Sequence, residues 1–150
     1  MASRYGLEIR AATKPDAPGL AEVLAEAGCA IAPAALAERL AALQQAAGAA
    51  LIAAEWGPPS GLVVLHWYRT LGAAQPIAQI TGLLVRPADR RRGIGRLLLK
   101  AAAQAARTAG CGALELLAPG EAAPSLDAFC RATGFTAQGT RFLRPLRKAG

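Results

Sequence analysis

Val85-Arg-Pro-Ala-Asp-Arg-Arg-Arg-Gly-Ile-Gly-Arg-Leu-Leu98 decides the fold of this chain. The run Ile77–Val85, apolar apart from Gln79, Thr81 and Gly82, comes directly before it. Directly after it, Ile94, Leu97, Leu98, Ala101 and Ala105 recur at helical spacing, with Arg96, Lys100, Gln104 and Arg107 between them. The order is therefore strand, short basic turn, glycine-lined helix start. The first turn of a helix has backbone N–H groups without intrahelical partners, and its macrodipole is positive there. Gly93 and Gly95 remove side chains that would hold an anion away, and Arg90, Arg91 and Arg92 add positive charge. Such a turn is a cradle for a pyrophosphate; the plainer alternative is a basic loop capping an ordinary helix.

Other phosphate loops fit less well. No G-x-x-x-x-G-K-[ST] segment occurs. A dinucleotide fingerprint needs a third small residue where Leu98 stands, although Glu115 lies about as far downstream as a ribose-binding acid would. The segment resembles motif A of the GCN5-related N-acetyltransferases, in which an arginine or glutamine precedes x-x-G-x-G/A. The wider pattern of that family is met by Leu83, Val85, Pro87, Arg90, Gly93, Ile94, Gly95, Leu97 and Leu98. Phe129-Cys-Arg-Ala-Thr-Gly-Phe135 is similar to its F-Y-x-x-x-G-F signature, with Cys130 in the tyrosine place.

Length and composition suit one domain over residues 1–150. No uninterrupted apolar run is long enough to cross a membrane, and the first residues lack the apolar core of a signal peptide, so a cytoplasmic protein is expected. Cys29, Cys111 and Cys130 are scattered and read as reduced thiols; with a single histidine, His66, no metal site is expected. The net charge of +7 is concentrated partly in 86–107, where a ligand with several phosphates explains it, and partly in the tail. Aromatic residues are not interleaved with the arginines, which disfavours nucleic acid as a partner.

The chain reads as strand Leu7–Ala11, a helix capped by Asp16 to about Ala27, and a helix from Pro33 to near Gly48. A hairpin follows, Ala49–Trp56 and Gly61–Tyr68 about a Gly-Pro-Pro-Ser-Gly turn. Strand Ile77–Val85, the cradle helix ending at Gly110, strand Ala113–Leu117 and a helix from Ser125 to Thr133 come next. Thr136–Leu146 offers one or two last strands. One right-handed βαβ unit inside an otherwise antiparallel sheet follows from this order. The family resemblance implies the same architecture: a single-domain α/β acetyltransferase fold with a mixed, mostly antiparallel sheet, a central parallel pair and flanking helices.

The resemblance further implies acetyl-CoA as donor and a primary amine, on a small molecule or a protein, as acceptor, with direct attack. It implies that backbone groups of Leu83, Leu84 and Val85 hold the pantetheine arm. The amides from Arg91 through Gly93, Ile94, Gly95 and Arg96 would hold the pyrophosphate, with Arg90, Arg91 and Arg92 adding charge. Dimers are common among such proteins, so a homodimer is an open expectation.

An amine must lose a proton before or during attack, and a departing thiolate needs one. The family's frequent glutamate on the strand before the cradle is missing from Ile77–Val85, and its asparagine is replaced by Ala123. Glu55, His66, Tyr68 and Glu115 remain as bases, or water acting for them; His66 and Glu115 are the candidates carried forward. Cys130 is the candidate acid, with a small buried thiol as the plainer reading. Trp56, Trp67 and Tyr68 wall an acceptor pocket or pack in the core. A non-catalytic acyl-CoA-binding module on the same fold is the alternative function.

Overall fold

The computed structural model describes residues 6–90, 92–118 and 124–147. It divides into two compact units, Met1–Leu117 and Ala118–Gly150.

The first unit is built on a five-stranded sheet of order β1-β2-β3-β4-β5. The strands are β1 (Glu8–Ala11), β2 (Gly48–Ala54), β3 (Gly61–Tyr68), β4 (Ile77–Val85) and β5 (Ala113–Leu116). Neighbours are antiparallel from β1 to β4, and β5 lies parallel to β4. That parallel pair is joined by α3 (Ile94–Thr108), as a parallel pair requires a crossover. The expected fold class is the observed one.

Alternation along the strands sorts side chains to two faces. On one face Ala50, Ile52 and Leu62 form a core with Leu20 of α1 (Ala17–Glu26) and Leu36 and Leu40 of α2 (Pro33–Gln44). On the other, α3 buries Ile94, Leu98, Ala102 and Ala106, a step of four each time, with Leu99 beside them. Gly61 makes the closeness of α3 to the sheet possible: a Cβ there would stand 2.8 Å from the Leu84 carbonyl oxygen and 2.9 Å from Leu98 Cδ1.

Several boundaries differ from the sequence reading for identifiable reasons. Asp16 does not cap α1 with its side chain; its carboxylate turns back to the Thr13 N–H at 2.8 Å and to both terminal nitrogens of Arg10, each at 2.8 Å. Strand β2 stops at Ala54 because Glu55 is drawn into the turn by Ser60 and Arg92. Helix α2 stops short of Gly48, which starts β2 opposite His66.

The second unit holds α4 (Pro124–Ala132), ended by Gly134 at φ +95°. The expected final strand is not formed: 135–147 carries no strand. An extended segment becomes a strand only when its amides find a ladder, and here Gly139 turns the chain at φ +71° while Pro145 offers no donor. Phe142, Leu143 and Leu146 are exposed.

Candidate active site

The cradle is built where β4 hands over to α3. A 3-10 turn at Pro87–Asp89 leads to Arg90, and Gly93 takes the left-handed conformation, φ +77°, that lets the chain enter α3. A side chain at Gly93 would meet nothing within 4 Å, so the space beside it is open. No side chain caps α3, and its first intrahelical bond runs from the Leu97 N–H to the Gly93 oxygen at 3.1 Å. The amides of Ile94, Gly95 and Arg96 therefore have no intrahelical acceptor. Ile94 is buried and anchors the turn from beneath, while Arg90, Arg96 and Lys100 are exposed around it.

The three arginines are not equivalent. Arg92 places its guanidinium on Glu55, with bonds of 2.8 and 2.6 Å, and also on Asp89 at 2.8 Å. Ser60, buried, donates to the same Glu55 at 2.9 Å. Arg92, foremost, and then Ser60 hold the Glu55 carboxyl below its ordinary range, and the two carboxylates raise the Arg92 guanidinium above its own. Arg92 thus ties the β2–β3 turn to the cradle. Arg91 lies outside the described residues, as does Ala123. The sequence reading missed this lock because Glu55 is remote from Arg92 in the chain and nothing local marks it as a partner.

Among the described residues, the strand before the cradle is paired on both sides over only half its length. Strand β4 pairs with β3 along its whole length, but with β5 only from Ile77 to Ile80. The Leu117 amide makes one more bond to the Ile80 oxygen at 2.9 Å, and there the parallel ladder ends. The Arg86 N–H donates to the Ser60 oxygen at 2.9 Å, which sets the sense of the antiparallel rungs. By alternation Leu84 faces β3, so Leu83 and Val85 present N–H and C=O to the side that β5 has left. That edge runs straight into the unpartnered amides of α3.

Where the ladder ends, β4 also bulges. Ile80 pairs with Leu65 and Gly82 with Val64, so Thr81 has no opposite residue. On the face that α1 and α2 cover farther along, His66 pairs with Gln79, and Gln79 with Glu115, in one row across three strands. The Tyr68 hydroxyl donates to Glu115 Oε1 at 2.6 Å, and Gln79 Nε2 donates to the same oxygen at 3.2 Å. His66 Nε2 lies 3.1 Å from Thr81 Oγ1. The bond to Glu115 raises the Tyr68 phenol above its ordinary range, so it stays a donor at neutral pH. Gly48 leaves room for the imidazole: a Cβ there would stand 3.3 Å from His66 Nδ1.

His66 and Glu115, far apart in sequence, therefore stand on one sheet face beside the ladder's end. Tyr68, two residues from His66 on β3, joins them on that face; Gln79 and Thr81 depend on register and had no signal in the sequence. Trp56 is 87% exposed and is not a core residue. Cys130, half-buried on α4 in the second unit, keeps its proton, because burial foremost, and Asp127 after it, push the thiol up. Among the described residues no helix is long and apolar enough to cross a membrane, and no group of three His, Cys, Asp or Glu side chains could hold a metal ion.

The sequence profile of the Acetyltransferase (GNAT) family matches residues 18–135. A provisionally assigned acetyltransferase from Agrobacterium tumefaciens str. C58 has a similar structure at 29% identity and a TM-score of 0.81, over 92% of this chain and 99% of that one. An acetyltransferase of Trypanosoma brucei superposes with a TM-score of 0.79 at 19% identity, over 93% of this chain and 99% of that one. AAC(6')-Iy, solved with the bisubstrate analogue CoA-S-monomethyl-acetylneamine, gives 0.79 at 19% identity, over 95% and 99%. These last two similarities speak for the fold. No curated protein matches the chain significantly in sequence.

Proposed function

The chain belongs to the acetyltransferase (GNAT) family, and on that footing we propose that it transfers an acetyl group from acetyl-CoA to a primary amine by direct attack. One observation carries this reading: among the described residues, the edge of β4 at Leu83–Val85 is unpaired on the β5 side and continues into the first-turn amides of α3, which have no intrahelical acceptor. A ligand with an amide-bearing arm and a pyrophosphate at its end matches that sequence of donors and acceptors. A protein of the same fold has been solved with a CoA-containing bisubstrate analogue, which supports the assignment.

In this reading the backbone of Leu83, Leu84 and Val85 holds the arm, and the amides of Gly93, Ile94, Gly95 and Arg96 hold the pyrophosphate. Arg90 and Arg91 supply charge, and Arg92 fixes the loop that carries them. Acetyl-CoA supplies the activated acetyl group. Strand amides at the ladder's end, fixed in place beforehand, stabilise the negative charge that develops on a carbonyl under attack. His66, beside Thr81 at the bulge, takes the proton of the incoming amine, and Glu115, on the same sheet face, helps to position the acceptor. Cys130 holds the proton that a departing thiolate needs. One domain spans the chain, and it acts in the cytoplasm.

The test is direct. Calorimetry is expected to show saturable acetyl-CoA binding below millimolar concentration, and free CoA thiol is expected to appear when an amine is added. No binding sinks the reading. Binding with no transfer to any of a broad amine panel would instead make the chain a non-catalytic acyl-CoA-binding module.

A further inference from the structure

Glu115 is the one Asp, Glu, Lys or Arg in β3, β4 and β5. Six other carboxylates are paired with arginines, Glu8 and Asp16 with Arg10, Glu26 with Arg86, Glu55 and Asp89 with Arg92, Asp127 with Arg131, while Glu22 and Glu38 stand exposed on α1 and α2. Among the described residues Glu115 has no cationic partner. Two neutral donors, Tyr68 and Gln79, instead hold its Oε1. A carboxylate fixed through one oxygen keeps the lone pairs of the other for a charged donor. On a chain of net charge +7, Glu115 is the one negative charge that β3, β4 and β5 offer an approaching cation.

Its position gives the site a length. Gln79 and Glu115 share a row, and Thr81, where β4 bulges and the ladder ends, is two residues farther along β4. Two residues of strand span about 7 Å. His66 reaches the near end of this interval through Thr81, and Glu115 marks the far end. A nitrogen being acetylated must be uncharged, so it is not the group that a fixed carboxylate holds best.

We propose that Glu115, set by Tyr68 and Gln79, binds a second, protonated nitrogen of the acceptor while the reacting amine lies by His66 and Thr81. The acceptors are then compounds with two amines about 7 Å apart, whether linear polyamines or diamino sugars. The inference rests on the acetyl-transfer reading and narrows its acceptor class.

Initial rates are to be compared for butylamine, 1,4-diaminobutane, 1,5-diaminopentane and kanamycin, with acetyl-CoA affinity measured separately by calorimetry. At least one diamine is expected to exceed butylamine in kcat/KM by about threefold to fivefold, which is the size of effect a well-fixed exposed ion pair gives. Preference for the linear diamines or for kanamycin identifies the source. E115Q is expected to erase the preference mainly through KM, and Y68F to reduce it, with acetyl-CoA affinity unchanged in both. Binding of 1,4-diaminobutane to the protein without acetyl-CoA, followed by NMR, is expected to weaken in E115Q and with added salt. Equal rates for butylamine and the diamines, an unchanged preference in E115Q, or acetyl-CoA binding with no transfer to any diamine overturns the inference while leaving the cradle intact. Failure to bind acetyl-CoA at all removes the acetyl-transfer reading, and this inference with it.

Discussion

At the scale of single residues, two positions carry strain or charge that a substitution can read out. Gly93 sits at φ +77° with open space around it, so G93A costs conformational energy and no collision. About 1–2 kcal/mol of stability is expected to go, measured by urea unfolding. Acetyl-CoA affinity is expected to fall as well, because the new methyl group stands where an anion would approach. Asp16 is held at about 2, against 3.8 for a free carboxyl, by Arg10 first and by Thr13. Its folded-state value is depressed, so the stabilisation is complete above the ordinary carboxylate range and fades as pH falls from about 4 to about 2. D16N is expected to lose on the order of 2 kcal/mol at neutral pH, and to match the parent protein near pH 2. Thermal melts across that range check both the size and the direction.

At the scale of elements, the site depends on joints that the family pattern does not mark. Gly61 lets α3 lie against β3 and β4, and G61A would push its methyl group into the Leu84 carbonyl and Leu98. Backbone cannot yield as a flexible side chain does, so a loss of about 1–3 kcal/mol is expected in denaturant unfolding. Arg92 joins the β2–β3 turn to the start of α3 through Glu55. In R92M, amide hydrogen exchange is expected to quicken in both Glu55–Ser60 and the first turn of α3, and acetyl-CoA affinity to drop. R90M is expected to lower affinity without that change in exchange, since Arg90 is exposed and is no part of the lock. The elements themselves were legible in the sequence, because periodicity and glycine punctuation are local. Strands β3 and β4 have the boundaries that alternation suggested. The lock was not legible: an arginine beside two glycines looks like a phosphate ligand whether or not carboxylates from another turn reach it first.

At the scale of the whole molecule, topology turns that local pattern into a site. The sequence placed His66 and Glu115 among several candidates, but only the register of three strands puts them in one row. Thr136–Leu146 shows the opposite case: the sequence offered one or two strands there, yet strand formation needs a partner that no local pattern can supply. The net charge of +7 acts at this scale too. Association with anionic acetyl-CoA is expected to slow several-fold from about 0.05 to 0.5 M salt in stopped-flow traces, as screening shortens the reach of the field. Among the described residues the parallel ladder stops after Leu117, so four residues of β4, Gly82–Val85, are paired on one side only. A protein built this way is finished by what it consumes, the arm of the small molecule lying where another length of polypeptide would have been. Melting temperature should therefore climb with acetyl-CoA, by about 2.7 kcal/mol of added stability at a hundredfold excess over Kd. Adenosine 3',5'-bisphosphate, which lacks the arm, should raise it far less at the same concentration, because the missing contacts weaken its binding.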